Sequence, residues 1–212
     1  MDRGSISKQT LQRLPVYLNY LKTLPENKTE NISATTIADA LKLNDVQVRK
    51  DLASVSSGGR PKIGYVTEKL IADIERFLGY DNRDSAVIVG VGNLGHALLS
   101  YGGFVRYGLE IVAAFDSDSE VAGTVVNGKR VLPAADIKKV CSDLKVRIGI
   151  ITVPGENAQE VCDALIDGGI MAVWNFAPVH LNVPDGVLVQ NENMACSLAV
   201  LSQHLREKIS ES

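Results

Sequence analysis

Cysteine is scarce in this 212-residue chain, and Cys141, Cys162 and Cys196 stand far apart without a C-x-x-C pair. That number and spacing speak against a disulfide framework and against a zinc site, so no metal partner is expected. The thiols are expected to serve as small apolar side chains. No apolar run approaches the ~18 residues that span a bilayer. The opening MDRGSISKQT lacks the apolar core of a signal peptide. No membrane partner is therefore expected, and the expected location is cytoplasmic. Histidine is equally sparse. His96, His180 and His204 have no evident acidic partner in the sequence, so no acid–base pair for an enzyme is visible. Internal repeats and low-complexity stretches are also lacking.

What is present is uneven. The net charge of −3 divides into +3 over residues 1–83, with 13 Lys and Arg against 10 Asp and Glu, and −6 over the remainder. A basic segment joined to an acidic one suits a polyanion-binding module fused to something else. The texture changes at Asp81-Asn82-Arg83-Asp84, from short helical patterns to apolar strands alternating with helices. Three segments are expected: 1–80, 85–191 and 193–210.

In the first segment, Leu11, Leu14, Leu18, Leu21 and Leu24 mark one helical face over 7–24, which Pro15 kinks or restarts. Ser33 caps a second helix over 33–41. A third follows at 45–54 after Lys42-Leu43-Asn44, with Asn44 and Gln47 spaced as in a capping box. SSGGRPKIGYV then reads as a two-stranded hairpin, a wing, and Thr67 caps a further helix with Leu70, Ile74, Phe77 and Leu78 on its face. Two short helices, a tight turn and a basic hairpin describe a winged helix-turn-helix. Gln47, Arg49 and Lys50 stand near the start of the third helix, where a recognition helix meets base edges, while Val48 and Leu52 face the core. Arg can grip guanine, Gln can read adenine, and Lys50 can meet guanine or phosphate. Arg60 and Lys62 sit on the wing, within reach of phosphates or a narrow minor groove. Double-stranded DNA is the expected partner. A solvated charged face on a small helical domain is the plainer alternative, and Asp51 offsets part of the charge.

The second segment carries the stronger signal. AVIVG (86–90) reads as a strand buried on both faces. Gly90-Val91-Gly92-Asn93-Leu94-Gly95 follows it and opens a helix, the context that a dinucleotide fingerprint requires. The next strand, 110–116, ends at Asp116, where an acid would hold ribose hydroxyls and repel a 2′-phosphate. NAD(H) is thus the expected cofactor. Further strands are expected at 147–153, 172–176 and 187–189, with helices starting near Pro133, at 156–168 and at 194–209. This alternation implies an α/β, Rossmann-type doubly wound parallel sheet. Thr152, Val153, Pro154, Asn175, Phe176, Ala177 and Pro178 lie at strand ends and should line the same crevice. The glycines could instead serve packing alone, or hold another adenine-containing ligand. Only one helix follows the last strand, leaving no room for a substrate domain. That favours a sensor over an NAD-dependent oxidoreductase.

The combination resembles the Rex family of bacterial redox-sensing repressors, over nearly the whole chain. The resemblance rests on LPVYL (14–18), VQVRKDL (46–52), GRPKIGY (59–65), VGVGNLG (89–95), YGGF (101–104), AAFDSD (113–118), ITVPGENAQEV (151–161) and WNFAPVHLNVPDGV (174–187). It implies a homodimeric repressor that binds a palindromic operator and is released by NADH. It also implies a C-terminal helix swapped into the partner subunit. The stripe Leu198, Leu201, Leu205 and Ile209 suits such a helix, although packing on its own domain is the alternative. Tyr101 matches a family tyrosine of the switch, and Met194 would face the nicotinamide pocket. Three positions depart from the family pattern. Asn19 stands where many members have Arg, and Asn193-Met194 where many have Asp and then an apolar residue, often Phe or Leu. An Asn pair cannot form the family's Arg–Asp ion pair, so a DNA-binding dimer with a weakened or altered ligand response is a further alternative.

Overall fold

The computed structural model describes residues 6–25 and 30–210. The chain divides into two compact units, Met1–Asn82 and Arg83–Ser212.

The first unit begins with α1 (Lys8–Thr23), capped by Ser7, whose side chain accepts the Thr10 N–H at 3.2 Å. The helix runs through Pro15 without restarting there. Leu14, Tyr17, Leu18 and Leu21 are buried, whereas Leu11, expected on the same face, is exposed. β1 (Asn31–Ile32) leads to α2 (Ala34–Leu41), capped by Ser33. Lys42 then turns the chain in the left-handed conformation. α3 (Asp45–Val55) is capped by Asn44, which accepts the Gln47 N–H at 3.1 Å. Gln47 does not complete the box, because its side chain lies against Arg13 instead.

The wing differs from expectation. β2 (Tyr65–Val66) pairs antiparallel with β1, and not with residues just before it. The loop between closes through a single bridge, with Arg60 and Gly64 exchanging backbone bonds at 2.8 and 2.9 Å. Gly64, at φ +88°, makes this possible: a Cβ there would overlap the Ile32 carbonyl. α4 (Thr67–Leu78) follows directly, so Thr67 is its first residue and not its cap. The Thr67 N–H donates to Glu30 O at 3.0 Å, tying the helix start to the strand pair. The core joins Leu14, Tyr17, Leu18 and Leu21 to Ile37, Val48, Leu52, Leu70 and Ile74.

The second unit is built on one sheet. Its strands are β3 (Asp84–Val89), β4 (Leu109–Asp116), β5 (Val125–Val126), β6 (Lys129–Pro133), β7 (Ile148–Ile151), β8 (Ala172–Asn175) and β9 (Leu188–Asn191). The spatial order is β5-β6-β4-β3-β7-β8-β9, parallel throughout except for the β5–β6 hairpin. Without β5, the six parallel strands follow the 3-2-1-4-5-6 order of a dinucleotide-binding sheet. That hairpin turns on Asn127-Gly128, both at positive φ, the sequence signature of a two-residue turn. The hairpin is not among the expected strands; β6 ends at Pro133, and a 3-10 turn (Ala134–Asp136) leads directly into α6 (Ile137–Leu144), close to where a helix is expected.

β3 explains its own unbroken apolar run. Val87 and Val89 enter one layer, with Ile137 and Cys141 of α6 and with Ala158, Cys162 and Leu165 of α7 (Gly155–Asp167). Ala86 and Ile88 enter the other, with Leu99 of α5 (Asn93–Ser100). Both faces of the strand are covered, so both side-chain sets are apolar. Cys141 and Cys162 are core residues whose thiols burial pushes up to about 11. Cys196 is exposed instead, on α8 (Met194–Ser210). No helix of the described residues is long and apolar enough to cross a membrane.

Candidate functional site

The crevice of the second unit lies where strand order reverses, between β3 and β7. Gly90 leaves β3 at φ +92°, and a Cβ there would press on Val153 and the Thr152 backbone. Gly95 lies so close to the turn that a Cβ would overlap the Gly90 carbonyl oxygen. A Cβ at Gly92 would meet nothing within 4 Å. The first and third glycines are thus required by the protein's own packing, and the second faces open space at the head of α5. Amide N–H groups at a helix head attract phosphate through their unsatisfied donors and the helix dipole.

Asp116, at the end of β4, accepts the Val91 N–H at 2.7 Å through Oδ2 and the Asp118 N–H at 2.9 Å through Oδ1. Thr152, after β7, donates to Gly90 O at 2.6 Å and lies 3.0 Å from Val89 O. These bonds hold the glycine turn from both neighbouring strands. A cavity of about 700 Å³ opens beside it, lined by Gly90, Gly92, Asp116, Thr152, Val153 and Pro154 among others. Of the expected residues, these six are brought together. Sequence reading missed Asn157 and Glu160 of α7 and Lys138 of α6 on the far wall. The signal was present in VPGEN, which repeats the strand-turn-helix form of the first fingerprint.

The other expected residues act differently. Val91 and Gly95 are buried, and Leu94 is half-buried. Asn93 is exposed as the first residue of α5. Asn175 has no exposed surface, and its amide is committed to the protein. It donates to Val179 O at 3.0 Å and Asn191 Oδ1 at 2.8 Å, and accepts the Ala177 N–H at 3.0 Å. It shapes the loop carrying Phe176, Ala177 and Pro178 and offers no surface to a ligand. Phe176 belongs to an aromatic row: its ring centroid lies 4.9 Å from Trp174, which lies 5.8 Å from Phe104, which lies 5.0 Å from Tyr101. The Trp174 indole donates to Glu192 at 2.9 Å, just ahead of α8. Asn193 caps that helix, accepting the Cys196 N–H at 3.2 Å. Met194 and the stripe Leu198, Leu201, Leu205 and Ile209 are all more than half exposed, so α8 does not pack its apolar face on its own unit.

In the first unit, Val48 and Leu52 anchor α3 while Gln47, Arg49 and Lys50 are exposed. These three split between two flanks. Arg49 lines a concavity of about 540 Å³ with Arg60 and Lys62 of the wing and with Ser33, Ala34 and Thr35 at the head of α2. Its pair with Asp45, 3.2 Å away, is exposed and weak. Gln47 and Lys50 face the head of α1 across a second cavity. Asp51 does not dilute the basic surface as expected. It is 4% exposed and neutralised by Arg13, which donates to both its oxygens at 2.7 and 2.9 Å. Thr10 and Tyr17 donate to the same carboxylate at 3.0 and 2.8 Å. No group of His, Cys, Asp and Glu among the described residues is arranged to hold a metal.

Comparison with known proteins agrees with both halves. Residues 5–53 match the family described as a putative DNA-binding protein N-terminus, and residues 81–179 the CoA binding domain family. The redox-sensing transcriptional repressor Rex of Bacteroides fragilis is 41% identical over 96% of this chain and 93% of its own length. The chain belongs to the Rex family. Rex of Streptomyces coelicolor is 39% identical over 99% of this chain and 81% of its own. Among solved structures, the Rex-family repressor RSP in complex with β-NAD+ and operator DNA matches with a TM-score of 0.90, at 32% identity. That match covers 97% of this chain and 94% of RSP. RSP with β-NADH matches with a TM-score of 0.86. Rex proteins are named as transcriptional repressors and not as enzymes, so the oxidoreductase alternative is not favoured.

Proposed function

We propose that this Rex-family chain represses transcription by gripping operator DNA as a homodimer, and that NADH in the Rossmann crevice releases it. One observation carries the ligand reading. The glycine turn leaves open space only at Gly92, while Asp116 and Thr152 fix the turn from either side. That cradle fits a dinucleotide: Gly92 and the head of α5 would hold the pyrophosphate and Asp116 a ribose. The bound nucleotide supplies a redox state that is legible as charge, since reduction removes the positive charge of the nicotinamide. Phe176 offers that end an apolar surface, which favours the neutral ring. Tyr101, in the same aromatic row, and Met194 of the partner subunit would border it.

The exposed stripe of α8 is the surface through which two copies associate, each helix packing on the other subunit. We place the DNA-binding unit at 1–80, the nucleotide unit at 85–191 and the exchanged helix at 193–210. Arg49, Arg60 and Lys62 form one cationic flank for duplex DNA, and Gln47 and Lys50 the other. The expected setting is the cytoplasm, where operator and nucleotide pools meet. Ligand control requires NADH to prefer the DNA-incompetent arrangement of the dimer, because a ligand shifts an equilibrium only by its differential affinity. Asn193 caps α8, and because Asn19 and Asn193 cannot form an ion pair, the switch would work without that charge-assisted contact.

Calorimetry with NADH, NAD+ and coenzyme A tests the ligand assignment. Saturable binding of NADH, with coenzyme A binding far more weakly, supports it. Preferential binding of coenzyme A overturns it.

A further inference from the structure

Arg13 does more than neutralise Asp51. The end of the Gln47 side chain lies against its guanidinium, and a guanidinium offers only donors. Were the Gln47 nitrogen turned toward it, donors would face donors. With the oxygen turned inward, Gln47 accepts from Arg13 Nη2 at 3.0 Å and Nη1 at 3.2 Å. Arg13 cannot swing away to relieve this, because Asp51 holds it through two bonds. Asp51 is itself fixed by Thr10 and Tyr17. The orientation is therefore imposed from α1 onto α3.

We propose that Arg13 is a positioning residue for base recognition, and that it makes Gln47 a donor-only reader. This rests on the DNA-binding reading above. Reading adenine through two bonds requires the Gln oxygen to accept from the adenine amino group while its nitrogen donates to N7. Here that oxygen already accepts twice. Only the amide N–H groups remain for the groove, and they suit the two acceptors of guanine, N7 and O6. Guanine therefore replaces adenine as the base expected opposite Gln47.

The test begins by selecting operators from a random duplex pool with the full-length dimer, then with Gln47→Ala. The position whose preference Gln47→Ala flattens is the one that Gln47 reads. Anisotropy titrations then compare guanine with adenine there. The wild type should favour guanine at least about fivefold, the low end for a two-bond contact. Gln47→Glu keeps the bond to Arg13 but leaves no donor for the groove, so it should lose the guanine preference. Arg13→Lys, whose single ammonium cannot serve Asp51 and Gln47 in the same way, should admit adenine. Should that variant misfold, Gln47→Glu still decides. Adenine preferred by the wild type, guanine still preferred by Gln47→Glu, or no position flattened by Gln47→Ala would overturn the proposal. No operator enriched at all would overturn the DNA-binding reading beneath it.

Discussion

Asp116 and Val91 are joined by a 2.7 Å hydrogen bond that crosses from the end of β4 to the glycine turn after β3. The carboxylate thus serves the protein before it serves any ligand. It fixes the middle of the turn, and it lines the cavity together with Gly92. Removing it would act twice, on the shape of the turn and on the proposed ribose contact. Asp116→Ala is expected to weaken NADH binding at least about tenfold, consistent with ~1.5–3 kcal/mol for a hydrogen bond to a charged group. Operator binding without nucleotide should persist. Calorimetry and anisotropy on the same preparation check both.

Gly92 and Gly95 should separate folding from binding. A Cβ at Gly92 meets no protein atom, whereas one at Gly95 overlaps the Gly90 carbonyl. Gly92→Ala is expected to keep its melting temperature and lose most of its NADH affinity. Gly95→Ala should be destabilised by roughly 1–3 kcal/mol or more. Thermal melts with and without NADH distinguish them, the first variant losing only the ligand-induced shift.

The Arg13–Asp51–Tyr17 cluster predicts two pH limits for the first unit. Burial alone would push the Asp51 carboxyl up, but the hydrogen bonds from Arg13, Tyr17 and Thr10 outweigh it and hold it below its ordinary 3.8. A depressed carboxyl contributes stability above its unfolded value and loses it as pH falls through the folded one. Burial and the bond to Asp51 push the Tyr17 phenol up to about 12. A raised phenol contributes below pH 10 and loses its contribution as pH rises toward 12. Urea midpoints followed by circular dichroism should fall below pH 3.8 and above pH 10. Asp51→Ala, which leaves the Arg13 charge without its partner, should cost roughly 3 kcal/mol at neutral pH.

Leu201 and Leu205 are 65% and 55% exposed on α8, too much apolar surface in one stripe to leave in water. Leu201→Asp with Leu205→Asp should convert a dimer to a monomer in light scattering. A wild-type monomer would remove the proposed role of α8.

How far these features could be read from sequence depended on range. The glycine turn, the buried β3 run and the caps Ser33 and Asn44 are local patterns, and the structure keeps them. The misses involve distant partners. Nothing near Tyr65 shows that its strand pairs with Asn31–Ile32, because the pairing is decided by how closely Gly64 approaches Ile32. Asp51 read as a surface charge because Arg13, its partner, lies 38 residues away. Asn175 read as a ligand contact because it ends a strand, and only its bonds to Val179 and Asn191 show that it is a brace. The Asn127-Gly128 turn was the exception, a local signal left unread.

We propose that nucleotide redox state governs DNA binding. The most direct test is the affinity of the intact protein for its selected operator at rising NADH, with NAD+ held in excess. NADH should release the DNA, and Asp116→Ala should blunt the release. Unchanged operator affinity at saturating NADH, with binding confirmed by calorimetry, would contradict it.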